Sequence, residues 1–245
     1  MEYNSRMRIG YTILQIKIQI SITSPHSAIF ILLHSISFMA SNRCLRILAF
    51  GASLTEGYYS GGLQFHPYTI QLAKRFQSDN QQVQIDNAGV SGEAVLSSTM
   101  LPRLKHLLAT NPKYDWVLIL AGTNDTLRDQ QIALKVLEGY ELLVNECQQY
   151  GANVLCMTLP EADVPLNSPH DKQRQEFNRL IRENLKTKNG NKCIFVVLDV
   201  DRYLPQHSLS PKEKRIIWDD EIHLTPKGYD RLGDMIYEKL RNYLQ

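Results

Sequence analysis

Four short segments carry residue types suited to acyl transfer. Ser53 lies in Phe50-Gly51-Ala52-Ser53-Leu54-Thr55-Glu56, and His223 stands 170 positions later in Asp220-Glu221-Ile222-His223. Between them come Asn87-Ala88-Gly89-Val90-Ser91-Gly92 and Gly122-Thr123-Asn124-Asp125. A serine hydroxyl is a weak nucleophile until a neighbouring base takes its proton. Asp220, three residues before His223, can hold the imidazole through Nδ1–H and leave Nε2 for the hydroxyl. Asp219 is a second candidate for that task, with less apt spacing. The Asn124 amide and the backbone N–H groups of Ser53 and Gly92 suit a developing oxyanion. Each segment also has an ordinary structural reading: Ser53 as a helix cap, Gly122–Asp125 as a turn, and Asp219, Asp220 and Glu221 as a solvated acidic loop. Ser91 is a rival nucleophile, but Gly89-Val90-Ser91-Gly92-Glu93 lacks the Gly-x-Ser-x-Gly spacing of a nucleophile elbow.

The elements around these segments decide whether they can meet. Short, nearly continuous apolar runs at Leu45–Phe50, Val83–Asn87, Trp116–Leu120, Asn153–Met157 and Ile194–Leu198 read as strands buried on both faces. Helical spacing separates them. Examples are Val136, Leu137, Tyr140, Leu143, Val144 and Cys147, then Phe177, Leu180, Ile181 and Leu185. Shorter helices are expected at Pro67–Gln77 and Ser98–Ala109. A last helix opens at Thr225-Pro226 and carries Leu232, Met235, Ile236, Leu240 and Tyr243 along one stripe. The alternation predicts an α/β fold with parallel strands, right-handed crossovers and helices on both faces. Such sheets gather ligands at the carboxyl ends of their strands. Ser53 follows the first strand, Gly92 the second, Asn124 the third, and Asp220 and His223 the fifth.

Taken together, Gly51-Ala52-Ser53-Leu54, Gly92, Gly122-Thr123-Asn124-Asp125 and Asp220–His223 resemble the ordered blocks of the SGNH hydrolases, also called the GDSL esterase/lipase family. The tail Leu224-Thr225-Pro226-Lys227-Gly228-Tyr229 is similar to that family's ending, and the resemblance spans about residues 44–245. It implies a flavodoxin-like three-layer α/β/α sandwich with a five-stranded parallel sheet. It implies a catalytic triad of Ser53, Asp220 and His223, an oxyanion hole from Ser53, Gly92 and Asn124, and neither metal nor cofactor. Ala52 stands where the family usually has Asp; that position is not a triad member, so the reaction should survive.

The substrate is expected to be a small-molecule carboxylic ester with a short- to medium-chain acyl group. Tyr58, Leu159 and Trp218 are the expected substrate contacts, on loops that also bring Tyr59, Phe65, Leu166 and Ile216 toward the rim. A carbohydrate O-acetyl esterase, a thioesterase and an acyltransferase remain alternatives. So does a non-catalytic flavodoxin-like module binding a group such as FMN.

Bulk properties agree with one globular domain. Of 245 residues, 43% are hydrophobic, enough for a sizeable core. There are 27 basic against 25 acidic residues; setting aside three basic and one acidic within residues 1–39 leaves 24 against 24. That balance offers no electrostatic case for nucleic acid, and no apolar run is long enough to span a bilayer. The four cysteines show no zinc-site spacing, and Cys147 and Cys156 read as small core residues. Residues 1–42 are expected to form an N-terminal extension outside a hydrolase domain of residues 43–245. Residues 1–38, rich in Ile and Ser, fit a targeting segment for an organelle or secretion. If Met39 is the real start, the protein is expected in the cytoplasm.

Overall fold

The computed structural model describes residues 43–184 and 193–244; the expectations for residues 1–42 lie outside them. Along the described chain the elements are β1 (Leu45–Gly51), α1 (Ser53–Glu56), β2 (Tyr58–Tyr59), β3 (Gln64–Phe65), α2 (Thr69–Ser78), β4 (Val83–Gly89), α3 (Met100–Thr110), β5 (Trp116–Leu120), α4 (Ala133–Gln149), β6 (Asn153–Met157), α5 (Pro169–Asn184), β7 (Phe195–Leu198), α6 (Val200–Tyr203), α7 (Pro211–Ile217) and α8 (Pro226–Leu240).

Five strands form one parallel sheet in the order β4-β1-β5-β6-β7. From β1 the chain steps to one side to reach β4, then back across to β5. With right-handed crossovers this reversal sends α2 to one face and α3 to the other. α2 packs on α8, while α3, α4 and α5 pack side by side. The result is a flavodoxin-like three-layer sandwich, and β1 sits where the strand order reverses, the position at which such sheets bind ligands.

The central strands are apolar because both faces are covered. Ile47, Leu48, Ala49 and Phe50 are fully buried, as are Val117–Ile119 and Val154–Met157. β4 departs from the expected two-sided burial. It is an edge strand, only partly buried along its length, and its solvent side carries polar residues: Arg46 bonds Gln84 (2.6 Å) and pairs with Asp86 (3.2 Å). Cys147 and Cys156 lie in the core. The final helix stops at Leu240, so Tyr243 leaves the expected stripe for a short 3-10 turn, its ring 6.0 Å from that of Trp116.

The sheet register levels the upper edge where the site forms. Gly51 pairs with Gly89 on one side and Leu120 on the other, so three strands end in one row. Glycine at 51 is a packing requirement: a Cβ there would lie 2.1 Å from the Leu120 carbonyl oxygen and 2.4 Å from Thr55 Oγ1. The chain can therefore turn sharply into α1 directly above the sheet. Gly51→Ala is expected to destabilise the protein by about 1–3 kcal/mol through overpacking, read as a lower urea midpoint, and to displace Ser53.

Candidate active site

Ser53 opens α1, behind Ala52. The Ala52 carbonyl accepts the N–H groups of Thr55 (3.0 Å) and Glu56 (2.9 Å). Ala52 is 5% exposed and provides no side-chain cap, so the backbone alone fixes this turn. Ser53 Oγ lies 2.9 Å from His223 Nε2, and His223 Nδ1 lies 2.7 Å from Asp220 Oδ2. The other Asp220 oxygen accepts the backbone N–H groups of His223 (2.6 Å) and Ile222 (2.8 Å). Burial alone would raise the Asp220 carboxyl. Those two N–H groups and the imidazole outweigh it and hold the carboxyl below its ordinary range.

The turn bearing His223 is held from both ends. Trp218 bridges Leu224 across it, and the Asp219 N–H donates to the His223 carbonyl at 2.9 Å. Just beyond, Thr225 caps α8 by accepting the Gly228 N–H, with Pro226 in the first turn. Asp219 does not face the imidazole. Its carboxylate accepts the Ser60 N–H at 2.7 Å and so ties the β2–β3 hairpin to the turn. The Tyr229 hydroxyl donates to the Tyr58 carbonyl (2.7 Å), and His66 and Asp230 meet at 2.8 Å, giving the hairpin two more ties to α8.

Asn124 begins a π-type turn, Asn124–Arg128, above β5. Its amide donates to the Glu93 carbonyl at 2.8 Å, which leaves one N–H free of that bond. Asp125 is fully buried and accepts the N–H groups of Val95 (2.8 Å) and Leu96 (3.0 Å). Its own burial pushes the carboxyl upward, against those bonds. Arg103 reaches the same loop from α3, pairing with Glu93 and donating to the carbonyls of Ala88 (2.7 Å) and Gly51 (3.3 Å). Gly92 has φ +80°. It borders a cleft of about 560 Å³ whose lining includes Ser91, Ser97, Thr99, Arg128, Gln131 and Lys135.

The structure thus brings Ser53, His223 and Asp220 into one hydrogen-bonded line and draws the Gly92 and Asn124 segments together. The expected substrate contacts separate. Tyr58 packs against His223, with ring centroids 4.4 Å apart and the planes tilted by 39°. Leu159 and Trp218 are only 1% and 4% exposed and pack in the core, although Trp218 still lines a shallow cleft beside Asp220. Asn178 holds both backbone polar groups of Leu159 (2.7 and 2.8 Å), and the Trp218 indole N–H donates to the Pro205 carbonyl at 3.0 Å. Their apolar character serves the interior, while Leu63, Phe65, Leu166 and Ile216 are the exposed apolar side chains of these loops.

A sequence profile of the GDSL-like lipase/acylhydrolase family matches residues 49–231. The chain belongs to that family. Between hydrolase and non-catalytic module, membership of the GDSL-like family decides for a carboxylic ester hydrolase. No curated protein matches the chain. Similar solved structures include the inhibitor-bound M. smegmatis aryl esterase, with 21% identity, 81% of this chain and 99% of that chain covered, and a TM-score of 0.62. A lipase/acylhydrolase from Enterococcus faecalis gives 22%, 82%, 97% and 0.66 in the same order. A carbohydrate acetylesterase family member from Sinorhizobium meliloti gives 20%, 82%, 99% and 0.64. At these identities the likeness speaks for the fold. No helix among the described residues is long and apolar enough to cross a membrane.

In the sequence Gly122-Thr123-Asn124-Asp125 reads as an ordinary turn, which hides the part Asp125 plays. Replacing it by Ala leaves the buried Val95 N–H and the part-buried Leu96 N–H unpaired. The expected loss is at least about 1–3 kcal/mol of stability, measured by denaturant unfolding, with a smaller loss for Asp125→Asn.

Proposed function

We propose that residues 43–245 form a serine hydrolase that cleaves short- to medium-chain carboxylic esters through an acyl-serine intermediate, with residues 1–42 as an extension outside it. The observation that carries this is the line from Ser53 Oγ through the His223 ring to Asp220, with contacts of 2.9 and 2.7 Å. His223 takes the Ser53 proton as Oγ attacks the ester carbonyl, then returns it to the leaving alcohol. Asp220 holds the imidazole tautomer and stabilises the imidazolium. The Ser53 and Gly92 N–H groups and the Asn124 amide receive the oxyanion. Water, activated by the same histidine, releases the acid from the serine.

The cleft beside Gly92 favours a second reading of the substrate. Its lining is only somewhat more polar than apolar, with Arg128, Gln131 and Lys135 beside Val90, Ala94 and Leu96, and those polar groups suit a hydroxyl-bearing alcohol better than a long alkyl chain. A carbohydrate O-acetyl ester is therefore the first alternative to test. Acetylated sugars turned over faster than p-nitrophenyl acetate at equal concentration would favour it.

Labelling with a fluorophosphonate and a p-nitrophenyl ester series from acetate to decanoate test the main reading. Ser53→Ala should abolish both labelling and turnover with the melting temperature kept; equal activity in wild type and Ser53→Ala would end the proposal. Asp220→Asn is expected to lower kcat on the order of 10⁴-fold. Asn124→Ala should lower kcat by about 10²–10³ with little change in KM, since the oxyanion exists only at the transition state.

A further inference from the structure

We infer that Arg128 and Glu56 are positioning residues that aim the Gly92 N–H into the oxyanion hole, an inference that rests on the serine-hydrolase reading above. Val90–Glu93 is a β-turn closed by the Glu93 N–H on the Val90 carbonyl at 3.2 Å. Gly92 occupies its third position, and its φ of +80° is that of a type II turn. In such a turn the central peptide, between Ser91 and Gly92, takes no part in the closing bond. It also flips end over end when a type II turn converts to type I, carrying the Gly92 N–H to the opposite side. The hole therefore needs the peptides on either side of that unit to be fastened.

Both are. On the near side, the Ser91 N–H donates to Glu56 Oε2 at 2.9 Å, and the Ser91 hydroxyl bonds the same carboxylate oxygen. Glu56 ends α1, one turn after the nucleophile. On the far side, Arg128 Nη1 donates to the Gly92 carbonyl at 3.0 Å. The guanidinium is itself gripped by Asp129, through Nε at 2.7 Å and Nη2 at 3.1 Å. Arg128 closes the turn that Asn124 opens. The two fasteners thus come from the two elements that carry the other oxyanion donors: Glu56 from the Ser53 helix and Arg128 from the Asn124 turn. The three donors form one cross-linked unit, and the Gly92 donor keeps its direction only while both links hold.

The test is the second-order rate of Ser53 labelling by a fluorophosphonate, whose phosphoryl oxygen needs the same hole and which requires no knowledge of the natural ester. Steady-state kinetics on p-nitrophenyl acetate accompany it. Arg128→Met keeps the side-chain stem but removes the donor. It is expected to slow labelling and lower kcat on the order of 10-fold, with KM within about twofold, a smaller effect than outright loss of a donor. Glu56→Ala, acting from the other end of the turn, should give the same split, and Glu56→Gln, which can still accept the Ser91 N–H, should recover most of the rate. Wild-type labelling rate and kcat in either Arg128→Met or Glu56→Ala would overturn the inference, as would a rise in KM alone, which would make Arg128 a substrate contact in the cleft. Should Arg128→Met fail to fold, Glu56→Ala and its Gln rescue decide by the same criteria. A wild type that does not label at all would sink the hydrolase reading and this inference with it; a labelling wild type matched by either variant sinks this inference alone.

Discussion

One hydrogen bond, from Ser53 to His223 across 170 residues of chain, sets what the rest of the molecule must supply. Its two ends come from the first strand of the sheet and from the loop before the last helix. Neither end can drift by an ångström without breaking it. The sheet meets this demand by ending β1, β4 and β5 in a single row, so that Ser53, the Gly92 turn and the Asn124 turn all start from one level. The packing of α8 on α2 brings the other end to the same edge. Between them the β2–β3 hairpin works as a brace. It is bonded to Asp219, Tyr229 and Asp230, and its Tyr58 ring lies on the imidazole.

Polar groups around the oxyanion segments follow a common pattern. Carbonyl and N–H groups freed where strands end are taken up by side chains from neighbouring segments: Arg103 on Gly51 and Ala88, Asn124 on Glu93, Asp125 on Val95 and Leu96. Buried polar backbone is costly unless paired, so irregular loops at this sheet edge need such partners. The same bonds give those loops one conformation, which is what the proposed oxyanion site would require.

The strands, the helices on both faces and the converging segments were legible because their signals are local and repeated. Trp116–Leu120 and Asn153–Met157 have in the fold the boundaries that their apolar runs mark in the sequence, and the Thr225-Pro226 helix start is a short-range steric and hydrogen-bonding event. What escaped depends on tertiary partners. The β2–β3 hairpin pairs two residues with two, too few to leave any periodicity. The half-buried β4 reads like its neighbours until its place at the sheet edge is known. The depth of Leu159 and Trp218 is hidden in the sequence, because an apolar residue in a loop looks the same whether it faces a ligand or the interior. α7 does carry a local sign of its start: Ser210-Pro211-Lys212-Glu213 is a capping box, with Ser210 and Glu213 bonding each other's backbone. Glu56 had a misleading one, since Ser53-Leu54-Thr55-Glu56 mimics that box, yet Ser53 is already inside the helix and Glu56 turns to Ser91.

The docking of α8 against α2 has a consequence for local opening of the structure. Ser53 follows the first strand of the sheet and His223 sits in the loop that leads into α8, so release of that one helix would part the pair without disturbing the strand ends. On the proposed hydrolase reading, such a partial opening would silence the serine well before the fold itself is lost.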